Sequence, residues 1–200
     1  MEGKLLCADC ADGLLVAPPR CYRCRRLSIK GRTCEACRRT SRLYAVQAAT
    51  VYGGIGKDLV RRLKFSGARA AALTVAGAMS GLDLPATCVI VPVPTATSRV
   101  RLRGYDQSVL IAKALARQTN REYVPCLRRI GQQRQVGASR TQRLQQMEQS
   151  FLVWDTSPLQ GRQVVLVDDV MTTGSTLESA AAIVKAAGAK RVEAMVFARA

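Results

Sequence analysis

The sequence predicts an α/β fold: a parallel sheet with helices on both faces, preceded by a small Cys-rich zinc ribbon. Three observations lead there. Cys88–Val91 and Val164–Val167 are apolar runs without a polar break, the composition of strands buried on both faces. Val164–Val167 is followed by a polar turn and then by apolar residues at helical spacing, the order strand, loop, helix. Ahead of these, six of the eight cysteines lie within Cys7–Cys37 as three C-x-x-C pairs.

Composition narrows the class. Apolar residues make up 48% of the 200-residue chain, ample for a core, yet stretches such as Ala70–Ala78 fall far short of a membrane span. No membrane insertion is expected. The start, Met1-Glu2-Gly3-Lys4, leads into cysteines and not into a secretory segment, so a cytoplasmic location is expected. There, clustered cysteines read as metal ligands and not as disulfides. The net charge of +17 is uneven: residues 1–42 hold ten Lys/Arg against four acids, and 99–143 eleven against two. Two basic segments on a nearly neutral body point to a polyanionic partner. Aromatic residues, at 4%, are too few for a base-stacking platform.

Residues 1–42 are expected to form the ribbon domain, and 43–200 the second domain. Cys21, Cys24, Cys34 and Cys37 follow the spacing C-x₂-C-x₉-C-x₂-C, and the chain has no histidine. Each pair turns two thiolates toward one ion, so the four read as a tetrahedral structural Zn²⁺ site without which so small a segment would not fold. Arg20, Arg23, Arg25, Arg26, Arg38 and Arg39 offset the charge of the thiolates. Three arrangements stay open for Cys7 and Cys10: sharing a metal with Cys21/Cys24, cross-bracing with Cys34/Cys37, or no ligation.

In the second domain, Tyr44–Tyr52 reads as a strand stopped by Gly53-Gly54. Ile55–Phe65 and Ala68–Met79 read as helices on either side of Gly67. Cys88–Val91 runs into Pro92-Val93-Pro94, and Thr95–Tyr105 is expected to be a loop. Gln107–Thr119 is a helix and Tyr123–Cys126 a short strand. Residues 128–150 offer little to bury and read as a basic insertion of the kind that closes over a site. Phe151–Trp154 resumes a strand, and Arg191–Phe197 is the last one.

The chemistry concentrates in Val164–Thr176, VVLVDDVMTTGST. The apolar run ends in Asp168 and Asp169, then Thr172, Thr173, Gly174, Ser175 and Thr176 lead into a helix carrying Leu177, Ala181, Val184 and Ala187. Such a loop lies at the carboxyl end of a strand, where open α/β sheets bind ligands. Backbone N–H groups of the first helical turn and four hydroxyls suit a phosphate. Gly174 permits close approach of the backbone. The carboxylates suit sugar hydroxyls or a Mg²⁺ shared with phosphates. No Walker A sequence is present.

This stretch resembles the 5-phosphoribosyl-1-pyrophosphate (PRPP) loop of type I phosphoribosyltransferases. Together with the cysteine pairs, Val91-Pro-Val-Pro94, Arg103-Gly-Tyr-Asp-Gln107, and Gln135-Val-Gly-Ala-Ser-Arg140 with Arg143, the chain resembles the ComF/GntX family. These are phosphoribosyltransferase-like proteins linked to competence. The resemblance implies a type I phosphoribosyltransferase-like fold behind a zinc ribbon. It implies Asp168 and Asp169 at the ribose and a PRPP-bound Mg²⁺, and Thr172–Thr176 at the 5′-phosphate. Thr95, Arg99, Arg101 and Arg103 would face the pyrophosphate, and residues 132–146 would be a hood. It further implies an accessory role in DNA uptake, with single-stranded DNA and a competence-machinery protein as partners. Two alternatives stand beside this: an active phosphoribosyltransferase of nucleotide salvage, and a PRPP-sensing regulator. Neither a nucleobase pocket nor a general base is visible in the sequence, so whether transfer occurs is left open.

Overall fold

A computed structural model of the chain describes residues 13–65, 68–130 and 150–200. In chain order its strands are β1 (Val46–Val51), β2 (Cys88–Pro92), β3 (Glu122–Tyr123), β4 (Leu127–Arg129), β5 (Phe151–Val153), β6 (Gln163–Met171) and β7 (Arg191–Arg199). The helices are α1 (Glu35–Arg38), α2 (Gly54–Phe65), α3 (Ala68–Ser80), α4 (Thr97–Arg103), α5 (Gln107–Thr119) and α6 (Ser175–Ala186). Five strands form one parallel sheet in the order β1-β7-β6-β2-β3.

Alternation along the strands divides the core between the two faces. Val89, Val91, Val164, Leu166, Val192 and Val196 pack with Leu177, Ala181 and Val184 of α6. Ile90, Val165, Val167, Met195 and Phe197 pack with Leu59, Leu63, Val75, Met79, Ile111 and Leu115 of α2, α3 and α5. Helices thus cover both faces, as the apolar runs require.

The chain leaves β2 through α5 toward β3 and leaves β6 through α6 toward β7, in opposite directions across the sheet. The carboxyl ends of β2 and β6 therefore flank the topological switch point, where such sheets open a crevice.

Four local features differ from the sequence reading. Strand β6 does not stop at Val167 but runs to Met171, because β7 continues to pair with it through Met171↔Arg199 while β2 ends at Pro92↔Val167. Proline has no N–H to extend the ladder. Asp168 and Asp169 thus stand on a strand whose β2-side edge has become bare. The loop expected at 95–105 contains α4, closed by Gly104 at φ +78°, whose N–H reaches the carbonyl of Val100 at 2.8 Å. The strand expected at 123–126 is reduced to β3. The strand expected at 151–154 leaves the main sheet and pairs β5 antiparallel with β4. Cys7, Cys10, Gly67 and the hood at 132–146 lie outside the described residues.

The cysteine-rich segment packs on the sheet through the bridges Val16–Thr50 and Arg32–Ala45. Gly31, at φ +67°, is needed there, since a Cβ would lie 2.2 Å from the carbonyl oxygen of Val46. Tyr22 and Leu43 join the core beneath α6. Among the described residues no helix is long and apolar enough to cross a membrane.

Candidate functional site

At the switch point a cavity of about 350 Å³ is lined by Thr95, Arg99, Gln107, Asp168, Asp169, Thr172 and Thr176, with Tyr52, Lys64 and Arg129 completing the wall. Separate stretches of sequence thus meet: the segments after β1, β2 and β6, the carboxyl end of α2, the start of α5 and the end of β4.

The two acids are held by the start of α5. The Ser108 hydroxyl donates to Asp168 Oδ1 at 2.9 Å, and the Asp169 backbone N–H donates to the same oxygen at 2.8 Å. Asp169 is buried; Lys64 Nζ lies 3.0 Å from its Oδ2, and Gln107 Nε2 donates to that oxygen at 3.4 Å. Burial, and then the neighbouring charge of Asp169, push the Asp168 carboxyl up to about 8. The pair thus favours one negative charge shared with Lys64 over two.

Asp106 is the clasp between the two sides. It caps α5 by accepting from the Ser108 N–H at 3.0 Å. It also accepts from the Thr95 N–H at 2.8 Å and the Thr95 hydroxyl at 3.0 Å. Tyr105 donates to the carbonyl of Leu63 at 2.9 Å, pinning the turn that carries Lys64. The 103–107 motif, with Ser108 beside it, therefore tethers the Thr95 loop, both acids and the end of α2.

Most of the loop residues singled out in the sequence line one of two cavities. Arg99 lines the first; Arg101 and Arg103 do not. Arg103 instead donates to Gln107 Oε1 at 3.0 Å and stacks over Phe65. Thr172 and Thr176 face the first cavity. Thr173 and Ser175 face a second one of about 640 Å³, with Arg23, Arg39, Arg42 and Glu178. Gly174 takes φ +81°, and the atoms nearest a Cβ there would belong to the Tyr22 ring, at 2.9 Å. What approaches Gly174 is the ribbon. Lys64 and Tyr52 were not singled out in the sequence, and Arg129 only as part of the basic insertion at 128–150; a lysine interleaved in an amphipathic helix carries the same pattern as a solvated one.

Cys21, Cys24, Cys34 and Cys37 bring their sulfurs within 4.8 Å of one another. The Cys24–Cys34 separation is 3.6 Å, close to the edge of a tetrahedron with metal–sulfur bonds of about 2.3 Å. Burial works to raise the Cys21 thiol, but backbone N–H groups of Cys24, Cys34 and Arg23 outweigh it and lower it to about 6. Cys37 is pushed up to about 12, first by its bond with Cys34. Cys21 thus forms a thiolate readily, while Cys37 holds its proton in the metal-free cluster. The cluster fits a tetrahedral metal ion.

Residues 106–200 match the phosphoribosyl transferase domain family. The chain is 31% identical over 156 residues to competence protein F of Haemophilus influenzae, covering 71% of this chain and 67% of that one. It is 26% identical over 189 residues to competence protein ComFC of Bacillus subtilis, covering 80% of this chain and 75% of that one. It is 35% identical over 124 residues to the DNA utilization protein YhgH of Escherichia coli, covering 60% of this chain and 52% of that one. Among solved structures, the allosteric regulatory enzyme of purine biosynthesis is similar over 62% of this chain and 25% of its own, with a TM-score of 0.46 and 22% identity.

Proposed function

This chain belongs to the ComF family of phosphoribosyltransferase-like proteins, and from that premise we propose that it is a cytoplasmic, PRPP-binding accessory factor of DNA uptake that handles single-stranded DNA. The names of its relatives support a role in competence and DNA utilization. The observation that carries the ligand reading is the convergence of Asp168, Asp169, Thr172, Thr176, Thr95 and Arg99 on one cavity at the switch point.

In this reading Thr172, Thr176 and the first turn of α6 hold the 5′-phosphate, and Asp168 accepts from the ribose hydroxyls. Arg99 and the Thr95 loop meet the pyrophosphate. A Mg²⁺ entering with PRPP would neutralise its pyrophosphate charge; Asp168 is the hard oxygen donor that suits it, since Asp169 is already engaged by Lys64. Zn²⁺ is the ion we assign to Cys21, Cys24, Cys34 and Cys37. We take residues 1–42 and 43–200 as its two domains. The exposed Arg25, Arg26, Arg38 and Arg39 supply the phosphate contacts for DNA, and a competence-machinery protein is the expected partner.

An active transferase is favoured by one further observation: the same cavity is lined by an aromatic residue, Tyr52, a residue type on which an acceptor base can stack. Calorimetric titration with PRPP, with and without Mg²⁺, tests the binding reading. Absence of binding at millimolar PRPP would overturn it. Pyrophosphate release in the presence of individual bases would move the assignment from accessory factor to transferase.

A further inference from the structure

The phosphate loop does not stand free behind its cavity. The tight turn between Cys21 and Arg26, closed by Cys21 N–H to Arg26 O at 2.8 Å and Arg25 N–H to Cys21 O at 2.9 Å, lies directly against it. Tyr22 is 3% exposed, and its ring occupies the space a Cβ on Gly174 would need. Its hydroxyl pairs with the hydroxyl of Ser41, which follows the last of the four cysteines in the chain, at 2.6 Å. Arg25 takes φ 65°, an uncommon conformation for a residue with a side chain. From there its guanidinium donates to the carbonyl of Thr172 at 3.4 Å and to that of Ala200 at 3.3 Å.

Two further ties bind the same turn to the same end of the sheet. Arg199, at the end of β7 and paired with Met171, sends its guanidinium to the carbonyls of Arg20 and Cys21, both at 3.3 Å. Glu178, in the first turn of α6, accepts the Arg42 N–H at 3.0 Å and lies 3.7 Å from Arg23. The loop is thus supported from behind by residues on both sides of the four cysteines. The Arg20–Leu27 bridge and the Arg20 guanidinium, which donates to the Arg25 carbonyl at 2.9 Å, also hold this turn; a metal joining Cys21 and Cys24 to Cys34 and Cys37 would tie it covalently to the second cysteine pair.

We propose that the cysteine cluster is a metal-dependent strut for the phosphate loop, in which Tyr22 and Arg25 act as positioning residues that set the conformation of residues 172–174. The proposal rests on the reading that this loop takes a phosphoribosyl phosphate, but the strut itself does not need the ligand. Metal at the cysteines and PRPP at the loop are then coupled, and by linkage each strengthens the other by the same factor. The opposing view is that strand β6 and helix α6 hold the loop unaided and the ribbon merely rests on it. The two differ in what metal removal does.

Hydrogen exchange of the full chain, metal-loaded and then stripped with a chelator, separates them. Exchange at residues 171–177 should rise at least tenfold on stripping, while α5 exchanges as before. In the same samples PRPP affinity should fall at least tenfold, and PRPP should slow extraction of the metal. Arg25→Ala and Tyr22→Leu keep all four cysteines; each should retain the metal yet show faster loop exchange and weaker PRPP binding. If stripping opens the whole chain, the metal-loaded Arg25→Ala protein decides. Unchanged loop exchange in the stripped chain, or in that variant, overturns the strut, as does a purified chain that neither carries nor takes up metal. A metal-loaded chain that binds no PRPP overturns the phosphoribosyl reading instead and leaves the strut to be judged by exchange alone.

Discussion

Lys64 Nζ lies 3.0 Å from Asp169 Oδ2, joining the last turn of α2 to the acidic end of β6. The carboxylate is nearly buried, with 8% of its side chain exposed, and the lysine holds 24%. A buried carboxylate that loses its cation is costly even with the Gln107 and Val170 donors left, so Lys64→Ala is expected to destabilise the chain by about 1–3 kcal/mol in urea denaturation. The double variant with Asp169→Asn should recover most of that loss. Equal and additive losses would show that the two side chains do not interact.

Asp168 predicts a pH dependence. Its folded value, about 8, stands above its ordinary 3.8. Between these limits the folded chain keeps a proton that the unfolded chain has released. The contribution of this group to stability therefore falls as pH rises through the window and levels off above about 8. Asp168→Asn should remove that fall. The melting temperature of the variant should gain on the wild type between pH 5 and pH 8.5, by about 2–4 °C for each kcal/mol relieved. PRPP binding should weaken in the same variant, as expected where a residue kept for function costs stability.

Asp106 is expected to matter more than its place in a polar turn suggests. Asp106→Ala removes the cap of α5 and both bonds to Thr95, and should cost about 1–2 kcal/mol. Asp106→Asn keeps an acceptor for Ser108 and should recover most of the stability. Thermal melts and PRPP titrations of the two variants side by side check this; a native-like melt for Asp106→Ala would rule out the clasp.

The basic ribbon predicts salt-sensitive binding of single-stranded DNA. Each phosphate neutralised should contribute about 0.7 log units of affinity per tenfold change in salt. Arg26 and Arg39 are exposed, and neither lines the first cavity. Replacing both with Gln should lower the salt slope by about 1.4 while PRPP binding stays unchanged. Fluorescence anisotropy across several salt concentrations measures both slopes. Arg25 and Arg38 are unsuitable for this test, since Arg25 touches the phosphate loop and Arg38 binds the Thr33 carbonyl and stacks on Tyr44.

What the sequence determined by itself was local. The alternation of apolar runs with helical spacing specifies a parallel α/β sheet with helices on both faces, because strand burial and helix period are written within a dozen residues. The spacing of Cys21, Cys24, Cys34 and Cys37 specifies four sulfurs around one point for the same reason. The order of acids and hydroxyls in Val164–Thr176 specifies a polar loop at a strand end. Only the tertiary structure decided how that loop is used and supported. Its hydroxyls divide between two cavities, Thr172 and Thr176 in one and Thr173 and Ser175 in the other, about the turn at Gly174, and Tyr22 fills the space behind that glycine. Thr95 meets Asp106, Asp168 meets Ser108, and Asp169 meets Lys64 because the sheet order sets the ends of β2 and β6 side by side, with α2 and α5 packed on one face. Partners brought together by strand order share no spacing along the chain, so an isolated Lys64 or Tyr22 reads in sequence as a surface charge or a stray aromatic. Their roles arise from packing, which no local pattern encodes.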